Sequence, residues 1–388
     1  MVALAAGYPK RYPSQKYRRS KLMKFILSGN IYNLGDLTEE MNKAFLMLHA
    51  SYFGNHYYDL AEFKTSALAF FDGHQGNYIF HDIFFNNFII LWKKFLNQSR
   101  FSEAEDLWDF SISVALEWEN ANAGQFIHKG TPYYFWGMTT ILKGDLDNGF
   151  SLMHQALEED VRTSNQEFPD TPGLAFATLN YKNTDQAFYG WVHEKSVFLA
   201  EQLEKYSANG GNLDLEKFQS KLLASPPSRD IVFLFAHTIA RLHKIVSSPS
   251  HTQKTDFVGQ LLMNLFFDIT LVIDAVIKTK NNAQWQFIKH AEFLSGHAGL
   301  SLNNNKLRAI NGKFKDNFEQ TINETLDNNF TFDDGSVMTS QENSIALCYG
   351  VRNYGAHHVS SVSTVFKRSE KIRRDLFNTL FLAIEVLY

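Results

Sequence analysis

The chain has 388 residues, 45% of them hydrophobic, and a formal net charge of −4. That length supports two or three domains with a substantial core, and that apolar fraction excludes a disordered chain. The charge excludes a globally basic nucleic-acid binder but leaves room for a local basic site. Cys348 is the only cysteine, so no disulfide framework can form within one chain, which suits a reducing cytosol. It reads as a small buried hydrophobe. Thirty-five phenylalanines and sixteen tyrosines point to an aromatic-rich interior, and only eight prolines to long unbroken helices. No apolar run reaches the roughly 18 residues that span a membrane. The stretch from Met1 to Gly7 is too short for a signal-peptide core and lacks a preceding charge. A cytoplasmic protein without membrane contact is therefore expected.

Residues 1–35 contain no acid and carry Lys10, Arg11, Lys16, Arg18, Arg19, Lys21 and Lys24. They read as a basic leader: a solvated, partly ordered segment, or an arm for nucleic acid or targeting. From Leu37 to Asn165 the pattern is helical. Glu39 to Phe53 forms one helix and Asp59 to Phe71 another, and His81 to Leu96 is heavily apolar and reads as buried. Ser102 to Glu119 starts on a capping serine and spaces Ala104, Leu107, Trp108, Ile112, Ala115 and Leu116 for one face. Tyr133 to Leu142 and Leu146 to Glu159 pair across Lys143-Gly-Asp145. In that pair Gly137, Gly149 and Ala156 are small residues twelve and seven apart, and Ala104 and Ser111 repeat the spacing of seven. Small residues there let the two helices of a hairpin approach closely. The pattern resembles a tetratricopeptide repeat. The distance from Ala104 to Gly149 exceeds one repeat, so the resemblance implies an insertion or a degenerate array. An unrelated helical array is the alternative.

Residues 166–183 hold Pro169 and Pro172 and read as a loop. Helices follow at Thr184 to Tyr206 and Leu213 to Leu223, and Ser225-Pro-Pro-Ser228 marks a domain boundary. Beyond it the expected helices are Asp230 to Val246, Thr255 to Lys278, Ala283 to Leu294 and Lys306 to Leu326. The last is amphipathic through Leu307, Ile310, Phe314, Phe318, Ile322 and Leu326. Ser361 to Leu387 ends the chain as a helix. No segment alternates as a strand would, so the fold class is all-α.

The stretch with chemistry runs from Thr339 to His357. Thr339 and Glu342 fit a capping box, so a helix starts near Ser340, with Ile345, Leu347, Cys348 and Val351 on its apolar face. Gly355 is the expected stop, in the left-handed conformation. Arg352 and Asn353 fall in the last turn, and His357 just beyond it. On an unbroken helix Arg352 and His357 would diverge by about 140°; a break at Gly355 can bring them to one side.

The string Arg352-Asn353-x-x-x-His357 resembles the arginine, polar residue and histidine signature of HEPN domains, helical bundles found in RNA-cutting toxins and antiviral effectors. The resemblance implies a HEPN-like bundle over 229–388, preceded by the tetratricopeptide-like region over 36–224. It also implies metal-independent RNA cleavage that leaves a 2′,3′-cyclic phosphate. His357 would move protons near neutral pH, Arg352 would grip a phosphate, and Asn353 would orient the histidine or bond the backbone. One histidine does not easily act as both acid and base. The family pairs two domains, which implies a homodimer; Tyr354 or His358 is an auxiliary candidate. Lys367, Arg368, Lys371 and Arg374, with Arg373, form a basic rim that can meet an RNA backbone. A solvated helix face is the plainer account of the same charges. The helical region would bind a protein partner or trigger. A non-catalytic scaffold or a signalling adaptor is the rival reading.

Other signals are weaker. His49 and His56, His74 and His81, and His290 and His297 each stand seven apart, a spacing too wide for a zinc site without further ligands. No cofactor or metal is called for. The chain has neither a lysine-bearing Gly-rich phosphate loop nor a Gly-x-Ser-x-Gly elbow. Asp72, Asp82, Asp145 and Asp147 lie near expected loops or helix ends, where acids commonly cap.

Overall fold

A computed structural model describes residues 24–27, 30–33, 37–53, 57–184, 188–224, 228–247, 256–282, 286–355 and 362–388. The described residues are overwhelmingly helical, and the all-α class holds. The exceptions are an isolated bridge between Thr331 and Val337 and a short hairpin of β1 (Lys24–Leu27) and β2 (Asn30–Asn33). The hairpin strands run antiparallel, with Lys24 opposite Asn33 and Leu27 opposite Asn30. Two short apolar-bearing runs flank Ser28-Gly29, a pattern that favours a hairpin over the leader expected there. The rest of the basic leader lies outside the described residues.

The chain divides into two compact units, 1–176 and 177–388. In the first, α1 (Glu39–Phe53) and α2 (Leu60–Gly73) stand as the spacing predicts, with Asp59 accepting from the Ala61 N–H at 2.9 Å. The heavily apolar stretch from His81 to Leu96 falls in two helices, α3 (Tyr78–Asn86) and α4 (Ile89–Asn97). At the break the Asn87 amide donates to the Ile83 carbonyl at 2.6 Å, competing with the backbone for the same acceptor. The next helix, α5 (Phe101–Ala121), starts after Arg100 with no side-chain cap, so Ser102 is not the cap expected. Phe45, Phe63, Phe71, Phe84, Phe88, Trp92 and Trp108 are fully buried, which makes this interior the aromatic one the composition implies.

Two helices, α6 (Gly130–Lys143) and α7 (Leu146–Ser164), pack most closely in this unit. Gly144 closes α6 at φ 107°, and the Asp145 carboxylate caps α7 by accepting from the Asn148 N–H at 3.2 Å. A Cβ on Gly137 would stand 2.9 Å from the Gly149 carbonyl oxygen. The two glycines therefore allow backbone-to-backbone contact that alanine would block. The loop expected over 166–183 contains a helix, α8 (Pro172–Ala177), opened by proline, whose fixed φ suits a first turn.

The second unit holds α9 (Tyr189–Ala208), α10 (Leu215–Ala224), α11 (Arg229–Val246), α12 (Asp256–Lys280), α13 (Phe287–His297), α14 (Asn304–Asp316), α15 (Phe318–Leu326), α16 (Ser340–Tyr354), α17 (Val362–Lys367) and α18 (Ser369–Leu387). The division between units falls well before the expected boundary at Ser225-Pro-Pro-Ser228. Its cause is that α9 and α10 pack on α18. Tyr206 donates to Glu385 Oε2 at 2.7 Å, and the Lys221 ammonium to the Glu385 carbonyl at 2.7 Å. The helix expected from Lys306 to Leu326 breaks at Asn317, whose side-chain Oδ1 caps α15 by accepting from the Gln320 N–H at 3.1 Å. Its apolar stripe is nonetheless buried from Leu307 to Leu326. The last expected helix breaks at Arg368, between α17 and α18.

One further expectation needs correcting. Over Phe257–Lys280, α12 is long and apolar enough to cross a membrane by length and composition. It carries Asp268 and Asp274 inside the apolar run, each within reach of an arginine, and packs against α11, α16, α17 and α18. Those contacts make it the core helix of its unit.

Candidate functional site

The capping box at the head of α16 is complete. Thr339 Oγ1 accepts from the Glu342 N–H at 3.2 Å, and Glu342 Oε2 accepts from the Thr339 N–H at 2.8 Å. Glu342 Oε1 also takes the Ser301 N–H at 2.8 Å and its hydroxyl at 2.6 Å. Burial pushes the Glu342 carboxyl up, but the donors on Ser301 and Thr339 outweigh it and hold the group below its ordinary value. Every residue from Glu342 to Val351 is buried. The helix is thus enclosed on all sides, not on the single apolar face expected. Gly350 is required, because the Phe314 ring occupies the space of a Cβ there.

The end of α16 differs from expectation. Gly355 sits at φ −56° and ψ −36°, in the right-handed region, so it does not stop the helix by left-handed geometry. It stands against α12 instead, where an added Cβ would lie 3.2 Å from Met263 Sδ. His357 and His358 lie outside the described residues.

Arg352 is where the enclosed helix meets solvent; its side chain is 30% exposed. One nitrogen, Nη2, reaches Asp274 Oδ2 of α12 at 3.4 Å, and the guanidinium carbon lies 5.4 Å from the centre of the Phe267 ring. The other Asp274 oxygen, Oδ1, is 2.6 Å from His290 Nδ1 on α13. A carboxylate only accepts hydrogen bonds, so Nδ1 carries the proton in this contact. His290 is 1% exposed. Asp274 therefore sits between a buried imidazole and a half-buried guanidinium. Arg352 Nε is buried without a hydrogen-bond partner. Asn353, expected to orient a histidine or bond the backbone, directs its amide to Asn311 Oδ1 at 3.4 Å. Tyr354 is half-buried at the same helix end. The Cys348 thiol lies wholly inside; burial raises its pKa, and the nearby Asp274 charge adds to that.

The expected basic rim is partly engaged. Arg368 and Lys371 both turn to Asp327 at the end of α15, with Lys371 Nζ at 3.0 Å. Arg374 Nε donates to its neighbour Asp375 at 2.8 Å. Arg373 is buried, its guanidinium 5.6 Å from the Phe198 ring centre. Lys367 is exposed at the end of α17, and the break at Arg368 removes it from the helix that bears Lys371 and Arg374. No family model, curated protein or solved structure matches the chain.

The first unit holds a second polar cluster. His128, on the segment entering α6, places Nε2 3.6 Å from Asp82 Oδ1 of α3 and 3.4 Å from Asp160 Oδ1 of α7. Asp82 is thus inside α3 facing a histidine, not the cap expected of it, and it accepts from the Thr131 hydroxyl at 3.0 Å. Burial pushes both carboxyls up to about 7. Burial pushes His128 down to about 3 and His81 down to about 4. The neighbouring His81 Nδ1 accepts the His128 N–H at 3.1 Å. Around them Lys129 meets Glu119 and Glu159, and Arg162 meets Glu159. Among the described residues no group of three His, Cys, Asp or Glu side chains is placed to hold a metal ion. His74 Nδ1 faces the Phe70 carbonyl, His297 Nδ1 faces the Phe293 carbonyl, and His56 lies outside the described residues.

Asp274 and His290 are the functional candidates that sequence reasoning missed. The available signal was an acid within the apolar run of α12, where a charge needs a partner. Nothing in the sequence says which partner.

Proposed function

We propose that the second unit is a HEPN-type endoribonuclease that cuts RNA without a metal. The first unit would be a tetratricopeptide-like array that receives a protein partner or trigger. In the proposed reaction the 2′-oxygen forms a bond to the adjacent phosphorus and the bond from phosphorus to the 5′-oxygen breaks. A 2′,3′-cyclic phosphate and a 5′-hydroxyl result. One imidazole takes the 2′-hydroxyl proton and another gives a proton to the leaving oxygen. Those imidazoles would be His357 from each of two copies in a homodimer, and Arg352 would bind the phosphate as its charge grows. Tyr354 and His358 are the auxiliary groups. Toxin or antiviral defence work rests on analogy with the family.

The observation that carries this reading is the state of Arg352. It is the first residue after ten buried ones, it is part exposed, and its contact with Asp274 is long at 3.4 Å. A charge-assisted pair at full strength is nearer 2.7–2.9 Å. A guanidinium held loosely at a solvent boundary keeps donors for a phosphate. Arg352→Ala and His357→Ala should each lower RNA cleavage by about a hundredfold or more, with unchanged circular dichroism and oligomeric state. Wild-type protein that leaves RNA intact, alone and with cell extract, would reject the nuclease. A rival reading, a non-catalytic scaffold, draws support from Asp327, which already neutralises Arg368 and Lys371.

A further inference from the structure

We infer that His290 is a positioning residue that keeps Arg352 available to an anion, by occupying the Asp274 oxygen that would otherwise complete a two-point capture of the guanidinium. This rests on the reading of Arg352 as a phosphate clamp. A carboxylate has two oxygens, and a guanidinium offers a planar fork that matches both. Left alone, Asp274 and Arg352 would close into that forked pair, and the arginine's best donors would be spent inside the protein. The structure shows a divided carboxylate instead. Oδ1 is taken by His290 Nδ1 at 2.6 Å, and Oδ2 alone faces Arg352 Nη2 at 3.4 Å.

The division is rigid on one side and loose on the other. His290 is 1% exposed, and Phe287 stands edge-on to its ring with centroids 6.4 Å apart. Phe287 is itself stacked on Tyr349 of α16 at 6.0 Å. The imidazole therefore has no room to swing away, and the helix carrying Arg352 helps to hold it. Arg352, by contrast, is part exposed and lies over Phe267, which steers its plane without using its N–H groups. Asp274 thus holds the arginine in place while leaving most of its five donors unspent.

The test is a double-mutant cycle on the full chain, read as binding of a fluorescent 2′-O-methyl oligoribonucleotide, which cannot be cleaved. H290L should weaken binding about tenfold, because Asp274 then closes on Arg352. Adding D274N to H290L should restore most of that loss, whereas D274N alone should shift binding by no more than about threefold. A merely structural histidine would give losses that add, with no rescue, and that outcome overturns the inference. R352A separates the two levels. If R352A binds as tightly as wild type, the phosphate-clamp reading fails. If R352A loses binding but H290L does not, only the role of His290 fails. Phenylglyoxal labelling of the wild-type protein needs no variant to fold. Arg352 should be labelled, and inorganic phosphate should slow the labelling; an Arg352 that resists the reagent would mean the guanidinium is already captured.

Discussion

Among the described residues, histidine meets aspartate in two buried clusters that are built to opposite ends. In the first unit His128 stands between Asp82 and Asp160 at 3.6 and 3.4 Å, and burial shifts all three groups toward their neutral forms. In the second unit Asp274 stands between His290 and Arg352, and the arginine reaches solvent. An arginine does not shed its charge, so the second cluster keeps a cation at its edge. A histidine and two acids can trade protons and stay near neutral inside. One arrangement suits a packed interior and the other suits an anion.

The largest expected effects come from filling space beside the first cluster and inside the enclosed α16. A Cβ on Gly130 would meet Asp160 Oδ1 at 2.5 Å and the His128 ring at 2.7 Å. Gly350 is pressed by the Phe314 ring of α14 in the same way. Gly130→Ala and Gly350→Ala should each cost about 1–3 kcal/mol, measured by urea unfolding. Gly355→Ala should cost less, because its nearest neighbour is the flexible tip of Met263. Equal losses at all three positions would remove the distinction between rigid and yielding surroundings.

A pH profile separates the clusters next. Asp82 and Asp160 are held at about 7 against an ordinary 3.8, so the folded chain keeps their protons longer, and their share of stability is lost as pH rises through that window. His128 at about 3 and His81 at about 4, against an ordinary 6.5, act in the opposite sense, adding stability as pH rises toward 6.5. The two pairs offset each other below that point, so this cluster contributes little slope in the wild type. The double variant D82N/D160N removes the falling part. Its stability should rise by a few kcal/mol between about pH 4 and 6.5 and exceed the wild type at pH 8. Parallel profiles for variant and wild type would show that the acids are not buried proton holders.

The smallest effect concerns the basic rim. If the proposed RNA substrate meets this rim, Asp327→Asn should free Arg368 and Lys371 and tighten its binding a few-fold, with a steeper loss of affinity as salt rises. No change in the salt slope would mean that these cations do not face the nucleic acid.

Local signals were legible wherever neighbours in sequence decide the outcome. The capping box of Thr339 and Glu342, the turn at Gly144-Asp145 and the stripe from Leu307 to Leu326 all follow from contacts within a few residues. Breaks inside helices were less legible. At Asn87 and Asn317 a side chain competes for backbone groups, which composition alone does not reveal. Arg352 was found through its motif, but its partners were not, since Asp274 lies 78 positions away.

By itself the amino-acid order determined the helical class, most helix positions and the buried stripes, because spacing and caps act over one or two turns. The assembled chain decided the rest. Packing of α9 and α10 on α18 moved the division between units to 176 and 177. Packing also brought α3 and α7 to His128, and α12 and α13 to Arg352. Such meetings depend on which faces are left to bury once the helices exist, and short-range pattern carries no record of that choice.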